Sequence, residues 1–462
     1  MSLACLAEGL RAGELSPREA VEAYLERIEE LDGGLNAYIT VRAEEALAEA
    51  AVLERAAERG PLWGVPVAVK DVIDVAGAPT TAASKILAGN VAPRDAAAVE
   101  RLRRAGAIVL GKLNTHEFAY GATTTSPHFG PARNPWSPER ICGGSSGGSG
   151  AAAAADLAAG TLGTDTAGSI RIPACFCGVS GLRPSTGRVS NRGVVPVSWT
   201  LDTVGPVARS AEDCALLLEA IAGHDPADPT TAAASVPAYS GLLDGGVEGL
   251  RVGLVESLTE RADPRIAEAV RSAVAELGSL GARVGSAVVP LLDEVGTMNQ
   301  LVMLPEAAQA HLPWLRTRLS DYGADVRARL LAGLLLPPTA YVTGQRARRW
   351  FYEGVRAVLD RFDLLVAPTM PILPPPIGEE SVELRGERIP YRLALIPFNS
   401  PWSFAGLPAM SIPCGFVDGL PVSLALVGRR FDEATVLRTA HAFQQATDRH
   451  ERRPALPAAA AR

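Results

Sequence analysis

Lysine is almost missing from this chain. Of its 44 basic residues only three, Lys70, Lys85 and Lys112, are lysine, and the other 41 are arginine. Arginine keeps its proton in any protein environment, whereas a buried lysine can lose it and act as a base. A lysine retained in a chain that writes positive charge as arginine is therefore a candidate for proton chemistry, with chance survival as the competing explanation for each of the three. Cysteine is scarce too, six in 462 residues, with no CxxC pair and no histidine cluster at metal-ligand spacing. That excludes a disulfide framework, gives no reason to expect a metal, and fits a reducing cytoplasm. The 44 basic side chains stand against 51 acidic ones, a net −7. General attraction to phosphate needs the opposite balance, so no general nucleic-acid binding is expected. No apolar run is long enough for a membrane span, and the start, MSLACLAEGLRAGELSPREA, carries acidic residues where a secretory leader would carry basic ones. Neither a membrane segment nor a targeting signal is expected.

What is present is a globular composition, 47% hydrophobic and 21% charged, with ample length for a large core. Ser16, Pro17 and Glu19 make a capping pattern, followed by Val21, Tyr24, Leu25, Ile28 and Leu31 at helical spacing, with Asp32, Gly33 and Gly34 as the expected stop. Short apolar runs, Val65 to Lys70 and Ala107 to Lys112, flank a helical stretch from Asp95 to Arg104. Similar runs recur at Arg251 to Val255 and Asp363 to Pro368, and Met410 to Gly415 and Pro421 to Gly428 flank Asp418-Gly419 like a hairpin before a last helix from about 433 to 447. The alternation predicts an α/β fold: a single large domain with a central mixed sheet covered by helices on both faces. Residues 1–60 read as an N-terminal helical segment packing on the core and 61–455 as the main domain. The Pro-rich stretch from 368 to 380 reads as a surface excursion. Residues 311–361 hold nine arginines against four acidic residues, which reads as a solvated helical face before an RNA site.

Chemistry concentrates in two glycine-rich segments. CGGSSGGSG, Cys142 to Gly150, runs into an alanine-rich stretch and so places a polar loop at a helix N-terminus. It can be a flexible turn, a phosphate loop lacking the lysine that closes one, or a GxSxG nucleophile elbow on Ser146 served by His224, His311 or His441. GTDTAGSIRIPA, Gly163 to Ala174, packs Thr164, Asp165 and Thr166 before Ala167, Gly168 and Ser169. Such a turn can present several N–H groups around one hydroxyl, an oxyanion hole, or can simply close a strand.

GVPVAVKD around Lys70, GGSSGG around Ser145 and GTDTAGSIRIPA around Ser169 resemble, in this order, the amidase signature family. The intervals, 75 residues from Lys70 to Ser145 and 24 from Ser145 to Ser169, fit its pattern. The likeness continues in GLRPSTGRVS, LDTVGPVARS and FAGLPAMSIPCG and covers nearly the whole chain. The resemblance implies Ser169 as nucleophile, Ser145 as a bridging serine on a cis peptide, Lys70 as base, and backbone N–H groups of Thr166, Ala167, Gly168 and Ser169 as the oxyanion hole. Gly121, Ala122 and Thr123 are its implied substrate contacts, and no cofactor or metal is implied. Ala167 stands where the family more often has glycine, and Cys142 before the loop is unusual. Cys175 and Cys177 match no catalytic position and read as core.

The resemblance leaves two settings for one chemistry. A stand-alone cytoplasmic amidase would take a small or aryl amide as its small-molecule partner, with a homodimer left open. A glutaminase-type A subunit of a tRNA-dependent amidotransferase would work inside a complex. PVSWTLDTVGP and FNSPWSFAG resemble free amidases and favour the first. A serine esterase of the α/β-hydrolase type using Ser146 is the third reading. The acyl pocket is expected from less regular segments, His116 to Thr125 and the helices between 296 and 355.

Overall fold

The computed structural model describes residues 1–56 and 58–456. Eleven strands form one mixed sheet: β1 Tyr38–Val41, β2 Pro66–Lys70, β3 Ile108–Leu113, β4 Gly160–Asp165, β5 Ser180–Arg183, β6 Thr203–Ala208, β7 Arg251–Val255, β8 Arg283–Ala287, β9 Leu364–Pro368, β10 Ala409–Val417 and β11 Leu420–Val427. Their spatial order is β1-β3-β2-β4-β6-β5-β10-β11-β9-β7-β8. β3, β2 and β4 are mutually parallel, as are β9, β7 and β8, and antiparallel pairs join the two groups. β10 and β11 form the expected hairpin, turning through Asp418 (φ 52°) and Gly419 (φ 76°). Both residues need left-handed backbone there, which Asp tolerates and Gly favours.

The principal helices are α1 Leu3–Ala12, α2 Pro17–Leu35, α3 Ala97–Arg104, α4 Gly147–Ala154, α5 Arg171–Cys177, α6 Ala211–Ile221, α7 Pro264–Ser279, α8 Val295–Thr317, α9 Ala324–Leu335, α10 Pro338–Leu359, α11 Tyr391–Ala405 and α12 Glu433–Gln445. Successive strand residues point to opposite faces, and here both faces are covered. Val67 and Val69 of β2 and Val109 of β3 join a core cluster with residues of α1, α6, α7 and α12. Ala68, Ile108 and Leu110 join a second cluster with α2, α4 and α5. A fully buried strand accordingly reads as a continuous apolar run, which is why these strands are legible in the sequence. Among the described residues no helix is long and apolar enough to cross a membrane.

Two local expectations give way. Helix α2 opens with the expected capping box of Ser16 and Glu19 but runs through Gly33 and Gly34 to Leu35, ending at Asn36 in left-handed backbone. Burial of Leu31 and Leu35 in the α2-side core outweighs the roughly 1 kcal/mol helix penalty of each glycine. The first half of the Pro-rich stretch is not a surface excursion. Thr369, Met370 and Ile372 are buried, and the carbonyls of Pro374 and Pro375 accept from Arg140 and from the Ile141 N–H. The second half is exposed at Pro376, Gly378, Glu379 and Glu380 and leads into the short, more open hairpin Ser381–Leu384 and Glu387–Pro390.

Candidate active site

Lys70 closes β2, and Asp165 closes the parallel neighbour β4, so the two signature segments meet at the C-terminal ends of adjacent parallel strands, where open α/β sheets place ligands. Lys70 is fully buried, with Nζ 2.7 Å from Ser145 Oγ and 2.8 Å from Thr164 Oγ1. The three lysines now separate. Lys85 is largely exposed and reaches Asp321. Lys112 is buried but ion-paired with Asp71 at 3.0 Å. Lys70 is buried and faces two hydroxyls, with no carboxylate in contact among the described residues. Burial lowers its pKa to about 7, against the opposing pull of the Asp202 and Asp165 charges.

The Gly144–Ser145 peptide is cis. A Cβ at Gly144 would stand 2.6 Å from the Thr123 nitrogen, so this backbone packs directly on the 122–124 segment. The Ser145 carbonyl accepts from the His116 N–H and from Thr124 Oγ1, both at 3.1 Å. Ser146 points the other way. Its Oγ donates to the Thr164 carbonyl at 3.1 Å and accepts from the Thr164 N–H at 3.2 Å. The proton of that hydroxyl is spent on β4, and among the described residues no histidine bonds to it. His224 bonds Thr231, His311 bonds Tyr322, and His441 lies toward Asp244. The elbow arrangement on Ser146 is not formed.

Beyond β4 the chain turns around the buried Asp165 carboxylate. Arg171 grips it through Nε and Nη2, each at 3.0 Å, and Arg183, the Gly168 N–H at 2.9 Å, the Ile170 N–H at 3.2 Å and Ser403 Oγ complete the shell. Burial alone would raise this carboxyl, but the two guanidinium groups outweigh it and hold the pKa well below the usual range. This corrects one expected oxyanion donor: the Gly168 N–H already donates to Asp165. The N–H groups of Thr166, Ala167 and Ser169 bond no protein acceptor among the described residues, and all three residues line the pocket. Gly168 (φ 125°) has a different duty, since a Cβ there would stand 2.6 Å from the Asn399 Cβ. Thr166 Oγ1 donates to Asp202 Oδ1 at 2.5 Å, and Asp202 Oδ2 accepts the Val197 and Ser198 N–H groups, both at 2.9 Å. Burial raises the Asp202 pKa to about 6 despite these bonds.

Ser169 and the loop before it form one side of a narrow pocket whose other lining includes Tyr120, Gly121, Ala122, Met303, Arg329 and Arg392. Of the implied substrate contacts, Gly121 and Ala122 are placed there and Thr123 is not, because its hydroxyl lies 3.1 Å from His116 Nδ1 and 2.7 Å from Thr125 Oγ1. Among the described residues the hydrogen-bonded chain runs from Thr164 through Lys70 to Ser145, and no bond joins Ser145 Oγ to Ser169 Oγ. The two segments are instead tied by the Ser146 N–H donating to the Ser169 carbonyl at 3.1 Å. Two larger crevices elsewhere on the surface have neither Lys70 nor Ser169 in their lining.

The Amidase family model matches residues 19–437. The chain belongs to the amidase signature family. It is 41% identical over 479 residues to the A subunit of the glutamyl-tRNA(Gln) amidotransferase of Moorella thermoacetica, covering 98% of this chain and 97% of that protein. Among solved structures it is 38% identical, with a TM-score of 0.92, to a protein described in a vestigial complex that reveals the origins of an s-triazine catabolic enzyme, covering 96% of this chain and 98% of that one. A 6-aminohexanoate cyclic dimer hydrolase solved with its substrate is 32% identical at a TM-score of 0.91, covering 99% of each chain. Cleavage of amide C–N bonds is thus the chemistry of this amidase signature enzyme at the level of its family.

Arg329 and Arg392 are the charged pocket residues that the motifs do not name. Arg329 is buried, stacks its guanidinium 4.3 Å from the Tyr120 ring centroid, and bonds Asp325 Oδ2 at 2.5 Å through Nη2. It sits inside the region expected to build the acyl pocket, but nothing in its local sequence separates it from the other eight arginines of 311–361. Arg392 enters from α11, which carries no signal for the site at its start.

Proposed function

We propose that this amidase signature enzyme releases ammonia from a small primary carboxamide that bears a carboxylate, by way of an acyl-enzyme on Ser169. The observation that carries the reading is the charge of the pocket. Two guanidinium groups, Arg329 and Arg392, share a lining that is otherwise mostly apolar, and one carboxylate, Asp325, faces Arg329. An uncompensated positive charge beside a nucleophile selects an anionic substrate, and arginine suits a carboxylate because it can bond it bidentately.

In this scheme neutral Lys70 accepts a proton from Ser145 as Ser145 accepts one from Ser169, and Ser169 Oγ attacks the amide carbon. The free N–H groups of the 166–169 loop stabilise the oxyanion, the relay returns its proton to the departing nitrogen, and ammonia leaves. Water then attacks the ester by the reverse path, so one water is consumed and one carboxylate is formed.

The relatives move the preferred setting. Motifs at PVSWTLDTVGP and FNSPWSFAG favour a stand-alone amidase, but 41% identity over 98% of the chain to an amidotransferase A subunit supports the glutaminase-type alternative better. Glutamine is a primary amide carrying a carboxylate, so the pocket charge points the same way, and neutral aryl amides become the weaker expectation. The test is a comparison of glutamine and succinamate with neutral amides of equal size, with the acyl-enzyme trapped and its site found by mass spectrometry. Preference for the carboxylate-bearing amides and a label on Ser169 are expected. Equal or better turnover of the neutral amides would overturn the substrate class.

A further inference from the structure

Helical spacing brings Gln345, Arg348, Arg349 and Tyr352 of α10 onto one face, where they line a crevice closed on its other side by Thr186, Arg430 and the end of α11. Its volume is about 250 Å³, room for a ligand larger than a single water. It shares no lining residue with the Ser169 pocket.

Three guanidinium groups face this space, and no carboxylate lines it among the described residues. Arg348 donates through Nε to the Phe404 carbonyl at 2.8 Å and through Nη2 to the Thr200 carbonyl at 2.9 Å, so its fork is fixed while Nη1 bonds no protein acceptor among the described residues. Burial lowers the Arg348 pKa, Glu306 opposes that, and the charge of Arg430 adds to the lowering, so the two guanidinium groups repel each other. Arg430 lies over the Phe431 ring at 5.0 Å, and Arg349 pairs with Glu353 one turn along α10 at 2.6 Å. Thr186 Oγ1 accepts from Arg183 at 3.0 Å and keeps its own proton for another acceptor. The floor is open because residue 406 is glycine: a Cβ there would stand 3.2 Å from Thr186 Oγ1 and 3.7 Å from Arg348 Nη2.

We propose that this crevice binds a phosphate-type oxyanion, held by Arg348, Arg349 and Arg430 with the Thr186 and Tyr352 hydroxyls. The donors come from one face of α10 and from two further segments that carry Thr186 and Arg430, arginine and hydroxyl donors suit a phosphate oxyanion, and an anion offsets the repulsion between Arg348 and Arg430. The site also gives the basic stretch 311–361 a local meaning: two of its nine arginines converge here with Arg430, while others serve elsewhere. Arg318 pairs with Asp321, Arg329 enters the Ser169 pocket, and Arg356 pairs with Glu353.

The test uses the full chain at constant ionic strength, titrated with inorganic phosphate in one arm and glycerol phosphate in the other, and read by calorimetry. One saturable site is expected in at least one arm, and the stronger arm tells whether the free ion or a phosphomonoester is the better ligand. R349Q/R430Q, both at exposed positions, should weaken binding at least about tenfold through loss of two charged donors. R316Q/R361Q, the same charge change elsewhere on the chain, should leave binding as it was. No saturation in either arm, or equal weakening by the two variants at unchanged thermal stability, would overturn the site, the second result marking diffuse attraction to positive charge.

Discussion

Thr166 and Asp202 are joined by a 2.5 Å hydrogen bond that anchors the 166–169 loop to a buried carboxylate with no cationic partner in contact among the described residues. Asp202 is also the foremost charge that holds the Lys70 pKa up against burial. One side chain therefore acts on both halves of the site, on the loop through a bond and on Lys70 through its field.

Asp202→Asn should lower kcat by about 10- to 100-fold, the range of one to two lost charged bonds. It should also shift the acid limb of kcat/KM toward lower pH, because removing an anion makes protonated Lys70 less favourable. Thr166→Val breaks the same bond but leaves the charge, so its rate should fall while its acid limb stays in place. Matching shifts in both variants would contradict the field effect.

The pH dependence of the unmodified chain follows from Lys70. A base with a pKa of about 7 is half neutral there, so kcat/KM should rise as pH increases through 7 and level off above it. Lys70→Arg should be nearly as inactive as Lys70→Ala, since arginine keeps charge but gives no base. A flat profile across this range, or near-normal turnover in the arginine variant, would remove Lys70 from the role.

Lys70 should also cost stability. Its pKa is depressed on folding from 10.5 to about 7, so the unfolded chain binds the proton more tightly. The penalty is full below pH 7, amounts to on the order of 4 kcal/mol near pH 7, and fades as pH approaches 10.5. Lys70→Met should therefore be inactive yet melt at higher temperature near pH 7, with the gain shrinking toward pH 10. A variant that melts lower at pH 7, or a gain that ignores pH, would show that the bonds to Ser145 and Thr164 outweigh the buried charge.

How far the sequence exposes this site depends on whether a residue's duty is local. Lys70, Ser145 and Ser169 each lie in a short run whose glycines and small residues mark close backbone approach, and the structure brings Lys70 against Ser145 and puts Ser169 on the pocket wall. β2 and β3 are legible because both faces are buried. Arg329 and Arg392 reach the pocket from elements far apart in sequence, and no spacing announces them; Asp202 lies in LDTVGPVARS, but nothing local shows that it meets Thr166. The Gly168 N–H differs from its expected role for the same reason: whether it is free depends on where the Asp165 carboxylate turns, and that is set by Arg171 and Arg183. Burial of the first half of the Pro-rich stretch is hidden in the sequence because proline composition marks turns but is silent about Ile141 packing beneath it.

Arg329→Gln tests the substrate class. If its guanidinium holds the substrate carboxylate, KM for carboxylate-bearing amides should rise about ten- to a hundredfold while kcat/KM for a neutral amide of equal size changes little. Arg329 also stacks on Tyr120 and bonds Asp325, so a purely structural role would damage both substrates alike. That outcome, with melting temperature lowered, would withdraw the carboxylate assignment.

Ser146 and Ser169 make the sharpest contrast, because adjacent motifs offer either as nucleophile. Ser169→Ala should abolish labelling by a fluorophosphonate and leave the melting temperature nearly unchanged, since its side chain bonds no protein group among the described residues and only lines the pocket. Ser146→Ala should do the reverse. It strips the buried Thr164 N–H of its acceptor and the Thr164 carbonyl of a donor, a loss of about 1–3 kcal/mol, so it should melt earlier while labelling persists on Ser169. Thr164 is also a contact of Lys70, so some slowing of labelling in Ser146→Ala is expected through displacement of β4. Complete loss of the label in Ser146→Ala together with its retention in Ser169→Ala would move the nucleophile to the elbow, and the assignment of Lys70 and Ser145 as its relay would fall with it.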